Sequence, residues 1–326
     1  MVTRRRVVLM LGAGTFVPAA TLAQQRKMWR IGLLREAAQS DHIRRINAFK
    51  TGMTALGYAE DKDYVIEIRT ADSNRDRLPL LADELVKMKV DVIFAAETVS
   101  AIAASKATRD IPILIATVGD PVGTGLAASI ARPGGNVTGL TSLNTELISK
   151  RLDLLRQLVP KMQRVGLLYN PSDPNELIAL ARFELDCNKL KLQAIRAPMR
   201  NADELVAAFS SLARSKAQGL VVTTSPTFGP MRQTILEQAA KLRLPATYGR
   251  LDFAEAGGLM AYATDFADLW RRTAAYADKI FKGVKPDNLP IEQPMLFDFA
   301  VNLKTAAALG IKVPGTILIQ ANKVIE

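Results

Sequence analysis

The chain is written twice. Arg30-Ile31-Gly32-Leu33-Leu34 returns as Arg164-Val165-Gly166-Leu167-Leu168, and the elements that follow each copy come in the same order. After the first copy the spacing of apolar residues predicts a helix over 41–56 (Ile43, Ile46, Phe49, Met53, Leu56) that ends at Gly57. A strand at 64–68, a helix at 78–89, a buried strand at 90–95, a helix at 99–109 and a buried strand at 111–117 come next. After the second copy come a helix at 175–190, a strand near 191–196 and a helix containing Asp203-Glu204-Leu205-Val206. The corresponding helix of the first half contains Asp83-Glu84-Leu85-Val86. A strand at 219–223, a helix at 230–243 and a strand at 245–248 complete the second set. Strands alternating with helices of this length imply right-handed crossovers and a parallel sheet covered on both faces. At 326 residues the chain is long enough for two such units, each with its own core.

The expected architecture is therefore α/β, with two similar doubly wound parallel-sheet lobes joined by a multi-crossing hinge. The N-terminal lobe is expected over 29–140 plus part of about 265–290. The C-terminal lobe is expected over 141–264 plus part of about 291–326. Arg132-Pro133-Gly134-Gly135-Asn136 reads as the turn that leads into Val137–Leu140 and out of the first lobe. Segments near 262–267 and 284–296 carry turn and proline signals and are the candidates for further crossings. Several crossings make a hinge on which the lobes close like jaws.

The first 23 residues have a different composition. Arg4-Arg5-Arg6 is followed by an apolar run from Val7 to Val17 and a small-residue tail, with Thr21-Leu22-Ala23 as a cleavage site. That is the layout of an export signal, too short in its apolar part for an anchor. Thr3-Arg4-Arg5-Arg6-Val7-Val8-Leu9 also fits a twin-arginine signal loosely, so the export route stays open. Cleavage near Ala23 places the protein in a periplasm. No later stretch is long and apolar enough to cross a bilayer, so the processed chain is not expected to be membrane-embedded.

Composition removes several function classes. Cys187 is the sole cysteine and His42 the sole histidine, so a disulfide, the familiar zinc sites and histidine-dependent triads are all out of reach. The net charge is +11, and +8 once the three arginines of the signal are subtracted. The basic residues are interspersed with acids, so nucleic acid is not an expected partner. Gly119-Asp120-Pro121-Val122-Gly123-Thr124-Gly125 lacks the Lys-Ser/Thr ending of a phosphate loop, and no glycine triplet follows the first strand. No cofactor is expected.

In open parallel α/β sheets, ligands bind beyond the carboxyl ends of the strands. That rule selects 35–39, 97–100 and 118–122 in the first lobe, and 169–175, 223–228 and 248–252 in the second. Thr98 and Ser100 sit where a helix begins; they either hold a ligand carboxylate with the adjacent amides or simply cap the helix. Asp120 either pairs with a ligand amine or caps a helix at 122–131. Tyr169 and Tyr248 occupy equivalent strand ends, where their rings cover an apolar ligand or pack in the core. Asn170, Ser172, Thr224 and Ser225 are candidate donors, with turn chemistry as the alternative. Asp265 is a further amine partner. Arg35 is a candidate ligand contact, and Glu97 and Arg250 either bind ligand or pair across the cleft. An enzyme reading finds only carboxylates such as Asp120 and Asp265 and no metal motif, so no catalysis is expected.

Asp76-Arg77-Leu78-Pro79, the 119–126 segment and Ala131-Arg132-Pro133-Gly134-Gly135-Asn136-Val137-Thr138-Gly139-Leu140 together resemble the ABC-transporter substrate-binding family with a type 1 periplasmic-binding fold. Lys150-Arg151-Leu152, Ala254-Glu255-Ala256-Gly257-Gly258-Leu259-Met260 and Leu289-Pro290-Ile291-Glu292-Gln293-Pro294 extend that resemblance to the C-terminus. The resemblance implies three interlobe crossings and capture of a small-molecule ligand such as an amino acid or an aromatic or carboxylate compound. It also implies a membrane permease and its ATPase as partners of a monomeric binding protein. A sensing subunit that shows its closed form to a membrane receptor is the alternative, because one fold serves both roles. The chain departs from the family pattern at Glu97, where glycine is common, and at Arg35-Glu36, where small residues are common. Both departures point to a ligand outside the range of the best-known members.

Overall fold

Residues 27–36 and 43–326 are described by the structure, a computed structural model. The expected export signal with its cleavage near Ala23, and residues 37–39 of the first site segment, lie outside the described residues.

Strand β1 (Trp29–Arg35) is buried over its last five residues, as a strand covered on both faces must be. It pairs in parallel with β2 (Tyr64–Thr70) and β3 (Val92–Ala95). With β4 (Ile113–Val118) and β5 (Val137–Thr141) it makes a five-stranded sheet in the order β2-β1-β3-β4-β5. Alternation along β1 sends Ile31 and Leu33 into one core with Phe49 of α1 (Ile43–Ala55), and Leu34 into another. That second core includes Leu85 of α2 (Leu78–Lys87) and Ala101 of α3 (Thr98–Ala107).

The chain then crosses through 142–146 to α4 (Leu147–Leu158) and repeats the plan. Strand β6 (Arg164–Tyr169) leads through α5 (Pro174–Lys189) to β7 (Gln193–Pro198), and α6 (Leu205–Arg214) leads to β8 (Gly219–Val222). Helix α7 (Arg232–Lys241) precedes β9 (Ala246–Tyr248), and α8 (Leu251–Glu255) precedes β10 (Met260–Thr264). These strands lie in the order β7-β6-β8-β9-β10, the order of the first sheet. The repeat in the sequence is thus a repeat of topology. Its shared glycine has one job in both places. A Cβ on Gly32 would meet Leu85 Cδ2 at 2.9 Å, and one on Gly166 would meet Leu212 Cδ2 at 2.2 Å, so each glycine lets a helix leucine lie flat on the strand.

Three features differ from the expectation. First, 122–131 is not a helix. The Leu126 amide reaches the Pro121 carbonyl, and Gly125 then turns the backbone left-handed (φ 74°), which ends the single turn. Second, the part of about 265–290 assigned to lobe one, for which no element was expected, is a long amphipathic helix, α9 (Phe266–Phe281), which packs on α1, β4 and β5. Third, lobe two is not wholly parallel. The chain returns through 292–296 to β11 (Phe297–Asn302), antiparallel to β10. Helices α10 (Leu303–Leu309) and α11 (Gly315–Gln320) and strand β12 (Lys323–Ile325), parallel to β11, follow.

The three crossings are bound side by side. Thr264 Oγ1 donates to the Ser142 carbonyl at 2.6 Å, and the Asp265 amide donates to the Leu296 carbonyl at 3.1 Å. Leu140 bridges to Glu292. Arg151, fully buried, donates through Nε to the Tyr262 carbonyl at 2.8 Å and through Nη2 to Asn144 Oδ1 at 3.2 Å. Its guanidinium thus ties the first crossing to the middle of β10.

Candidate functional site

Between the carboxyl ends of the two sheets lies a small, polar-lined cavity. Lobe one contributes Glu97 and Thr98 at the start of α3, Thr117 near the end of β4, and Arg45 of α1. Lobe two contributes Asp173, Asn175 and Glu176 at the start of α5, Thr224 and Pro226 after β8, and Arg250 after β9. Asn144 enters from the first crossing and Phe266 from the first residue of α9, and the Arg45 guanidinium lies 4.5 Å over the Phe266 ring. A neighbouring cavity shares Arg45, Arg250 and Phe266 and adds Arg44, Asp252 and Asp265.

Of the residues selected from sequence, Glu97, Thr98, Thr224 and Arg250 line the main cavity. Glu97 is the N-cap residue of α3. Its Oε2 accepts from the Glu36 amide at 3.0 Å and from Ser100 Oγ at 2.9 Å, so Ser100 is spent on holding Glu97. Arg35 is fully buried at the end of β1, and its charge acts on Glu97. Burial pushes the Glu97 carboxyl up to about 7, with the Glu36 charge adding to the rise and Arg35 opposing it. Arg250 is engaged by Asp252 at 2.7 and 3.1 Å.

The remaining selected residues fall elsewhere. Tyr169 belongs to the lobe-two core around α4 and α5. Tyr248 stacks on Phe253 with centroids 5.0 Å apart. Both rings point into lobe two because the last residue of each strand still follows the sheet's alternation. Asp120 accepts from the Val122 and Gly123 amides at 3.1 and 2.7 Å, which is the capping role without a helix to follow. Asn170 spends its side chain on Thr227 Oγ1 and on the amide of Ser172, which is itself exposed. Ser225 Oγ is buried and has no hydrogen-bond partner among the described residues. Asp265 caps α9 by accepting from the Ala267 and Asp268 amides.

The acids the sequence did not single out carry the strongest electrostatics. Asp173 caps α5 and accepts from the Asn175 amide at 2.9 Å. Glu176 accepts from the Asn170 amide at 3.0 Å and from the Thr223 hydroxyl. Burial pushes both carboxyls above the ordinary carboxylate range; the negative charge of Glu36 adds to the rise at Asp173 and that of Asp173 to the rise at Glu176. Arg75 counters from lobe one, paired with Glu36 at 2.6 and 3.3 Å and 3.7 Å from Asp173. Asp173 and Asn175 lie inside a segment the strand-end rule selects. Arg45 and Phe266 give no local signal, because each reaches the cavity from a helix with an ordinary apolar spacing.

A two-lobed α/β clamp with a polar cavity between the strand ends is the class of protein that fold and site define. The family model for ABC transporter substrate binding protein matches residues 40–325, and the chain belongs to that family. It is 28% identical over 253 residues to a tyrosine-binding protein of Clostridioides difficile (strain R20291), covering 78% of this chain and 72% of that protein. Among solved structures it resembles an ABC domain in complex with L-Trp from Streptococcus pneumonia. The two are 24% identical with a TM-score of 0.85, over 92% of this chain and 100% of the other. It also resembles the ligand-free, open structure of a substrate binding protein with adhesive properties from Clostridium difficile. Here identity is 25% and the TM-score 0.67, over 91% and 99% of the two chains. The lobes here touch across the cleft, where the Asp120 amide meets Asn175 and Arg75 lies near Asp173.

Proposed function

We propose that this protein is the periplasmic solute-binding component of an ABC importer. It closes on a small organic solute, an amino acid or an aromatic or carboxylate compound, and presents it to a membrane permease driven by an ATPase. One observation carries the reading: both lobes and the first crossing send polar side chains to a single cavity, so a solute there is held by groups that meet only when the lobes close. Thr98, with the amides of the first turn of α3, suits a carboxylate, and Phe266 offers a ring for an apolar or aromatic part. The tyrosine-binding relative and the L-Trp complex support an amino acid as the first class to test. Glu97 and Arg35 argue for a solute of different charge pattern within that class. In this reading the chain is processed after Ala23, acts as a monomer, and moves as two bodies bounded as the sequence repeat suggests.

The test is a thermal-shift screen of the processed protein against amino acids, aromatic acids and purines. A true ligand at a hundred times its Kd stabilises the fold by about 2.7 kcal/mol. Thr98→Ala and Thr224→Ala should each weaken binding of that ligand at least several-fold in calorimetry. Unchanged affinity in both variants would remove the cavity as the binding site.

A further inference from the structure

Closing the clamp joins surfaces that lie apart when it is open, and much of the joining falls on one element. The first turn of α5, in lobe two, meets lobe one at two points. Asn175 Oδ1 accepts from the Asp120 amide at 2.9 Å, and a Cβ added to Gly119 would lie 2.3 Å from Asn175 Nδ2. Two residues earlier, Asp173 lies 3.7 Å from Arg75 Nη2, and Arg75 is itself held by its two-point pair with Glu36.

We propose that the first turn of α5 is the latch of the clamp, seating Asn175 on Gly119 and Asp173 against Arg75, and that closing the latch takes up protons on the carboxyl groups it buries. The proposal rests on the cavity being the solute site and concerns how that site is shut. The seam holds more negative than positive charge. Asp173 and Glu176 face Glu36 and Glu97 of lobe one, and Arg75 and Arg35 oppose those four. Arg151 acts on Glu176 from α4, and Arg45 and Arg250 line the same cavity, Arg250 already paired with Asp252. Burial raises the Asp173 and Glu176 carboxyls, and Arg75 pulls them back only in part. A carboxyl whose pKa is higher in the closed form than in the open one favours closure below that raised value. Its contribution is lost as pH rises through it. Acid therefore closes the latch and alkali loosens it.

Small-angle X-ray scattering on the protein without added solute reads this directly. The radius of gyration should be larger at about pH 8.5 than at about pH 5.5, by on the order of 1 Å for a chain of this size. Glu176→Gln keeps an acceptor for the Asn170 amide but carries no charge, and should stay compact at both values. Asn175→Ala should be open at both, with circular dichroism checking that it is folded; if it is not, Gly119→Ala makes the same test from lobe one. The latch is overturned by a radius that ignores pH, by Glu176→Gln responding as the unaltered protein does, or by a folded Asn175→Ala as compact as the unaltered protein in acid. No solute enters these measurements, so their failure is separate from a failure of the ligand screen.

Discussion

Lobe one ends its sheet at β5 and covers one face with α9, a helix that reaches it only after the chain has passed through lobe two. Lobe two carries the same five-strand order, but extends it with an antiparallel strand and a parallel edge strand built from the C-terminal residues. The two lobes therefore share a plan and differ in what completes it. Lobe one borrows a helix distant in sequence, so its core contains Leu269, Trp270 and Ala274 beside Ile31, Phe49 and Phe94. The borrowing matters for function. The segment that finishes the lobe-one core begins at Asp265, in the second crossing, so the hinge and the core of lobe one are continuous.

That difference can be broken most directly at Trp270, which is buried with its ring 4.6 Å from Phe94. Trp270→Ala should cost about 3–5 kcal/mol, and hydrogen exchange should show the loss in β1, β3 and α1 while the β6–β8 strands keep their protection. Equal loss in both lobes would mean that they do not differ as described. A smaller cost is expected where α1 and α9 approach most closely. A Cβ on Gly52 would lie 2.2 Å from the Arg271 carbonyl oxygen, which is backbone and cannot swing aside. Gly52→Ala should destabilise by about 1–3 kcal/mol in thermal unfolding, again in lobe one.

Buried charge sharpens the comparison at the cleft. Glu97 titrates near 7 in the folded protein against an ordinary value near 4.5. Its raised pKa adds stability that is full below about 4.5 and lost as pH rises through about 7. Glu97→Gln, which keeps an acceptor for the Glu36 amide and Ser100, should therefore raise the stability at pH 8 by about 1–2 kcal/mol and change it little in acid. A melting curve that shifts equally across pH would mean that Glu97 is ionised throughout. The smallest effect compares the two copies of the repeat. Gly166→Ala should cost more than Gly32→Ala, by less than about 1 kcal/mol, because the added methyl presses harder on Leu212 than on Leu85.

The repeat was legible in the sequence, though not letter for letter. Asp83-Glu84-Leu85-Val86 and Asp203-Glu204-Leu205-Val206 mark corresponding helices but not corresponding positions. Leu205 opens α6, whereas Leu85 lies late in α2 and presses on Gly32, as Leu212 presses on Gly166. The true match is between the caps, Asn74 and Asn201, each of which starts a short 3-10 turn before its helix. Helix α9 has an apolar spacing of its own, but it is flanked by turn signals at Asp265 and Pro286 that match a crossing equally well. Four of the selected site residues reach the cavity wall. The two tyrosines do not, since a strand end names a place and not the face on which its side chain leaves.

By itself the sequence determined two doubly wound lobes, the order of their shared elements and the strand ends where a cleft belongs, because periodicity, caps and glycine turns act within a few residues. Which groups meet in that cleft was decided only by tertiary structure. Glu36 and Arg75 of lobe one come against Asp173 and Glu176 of lobe two where the lobes meet, and Arg45 lies over Phe266 where α1 packs on α9, in each case joining residues far apart in the chain. Burial and charge pairing are properties of that joined surface, and no local pattern encodes them.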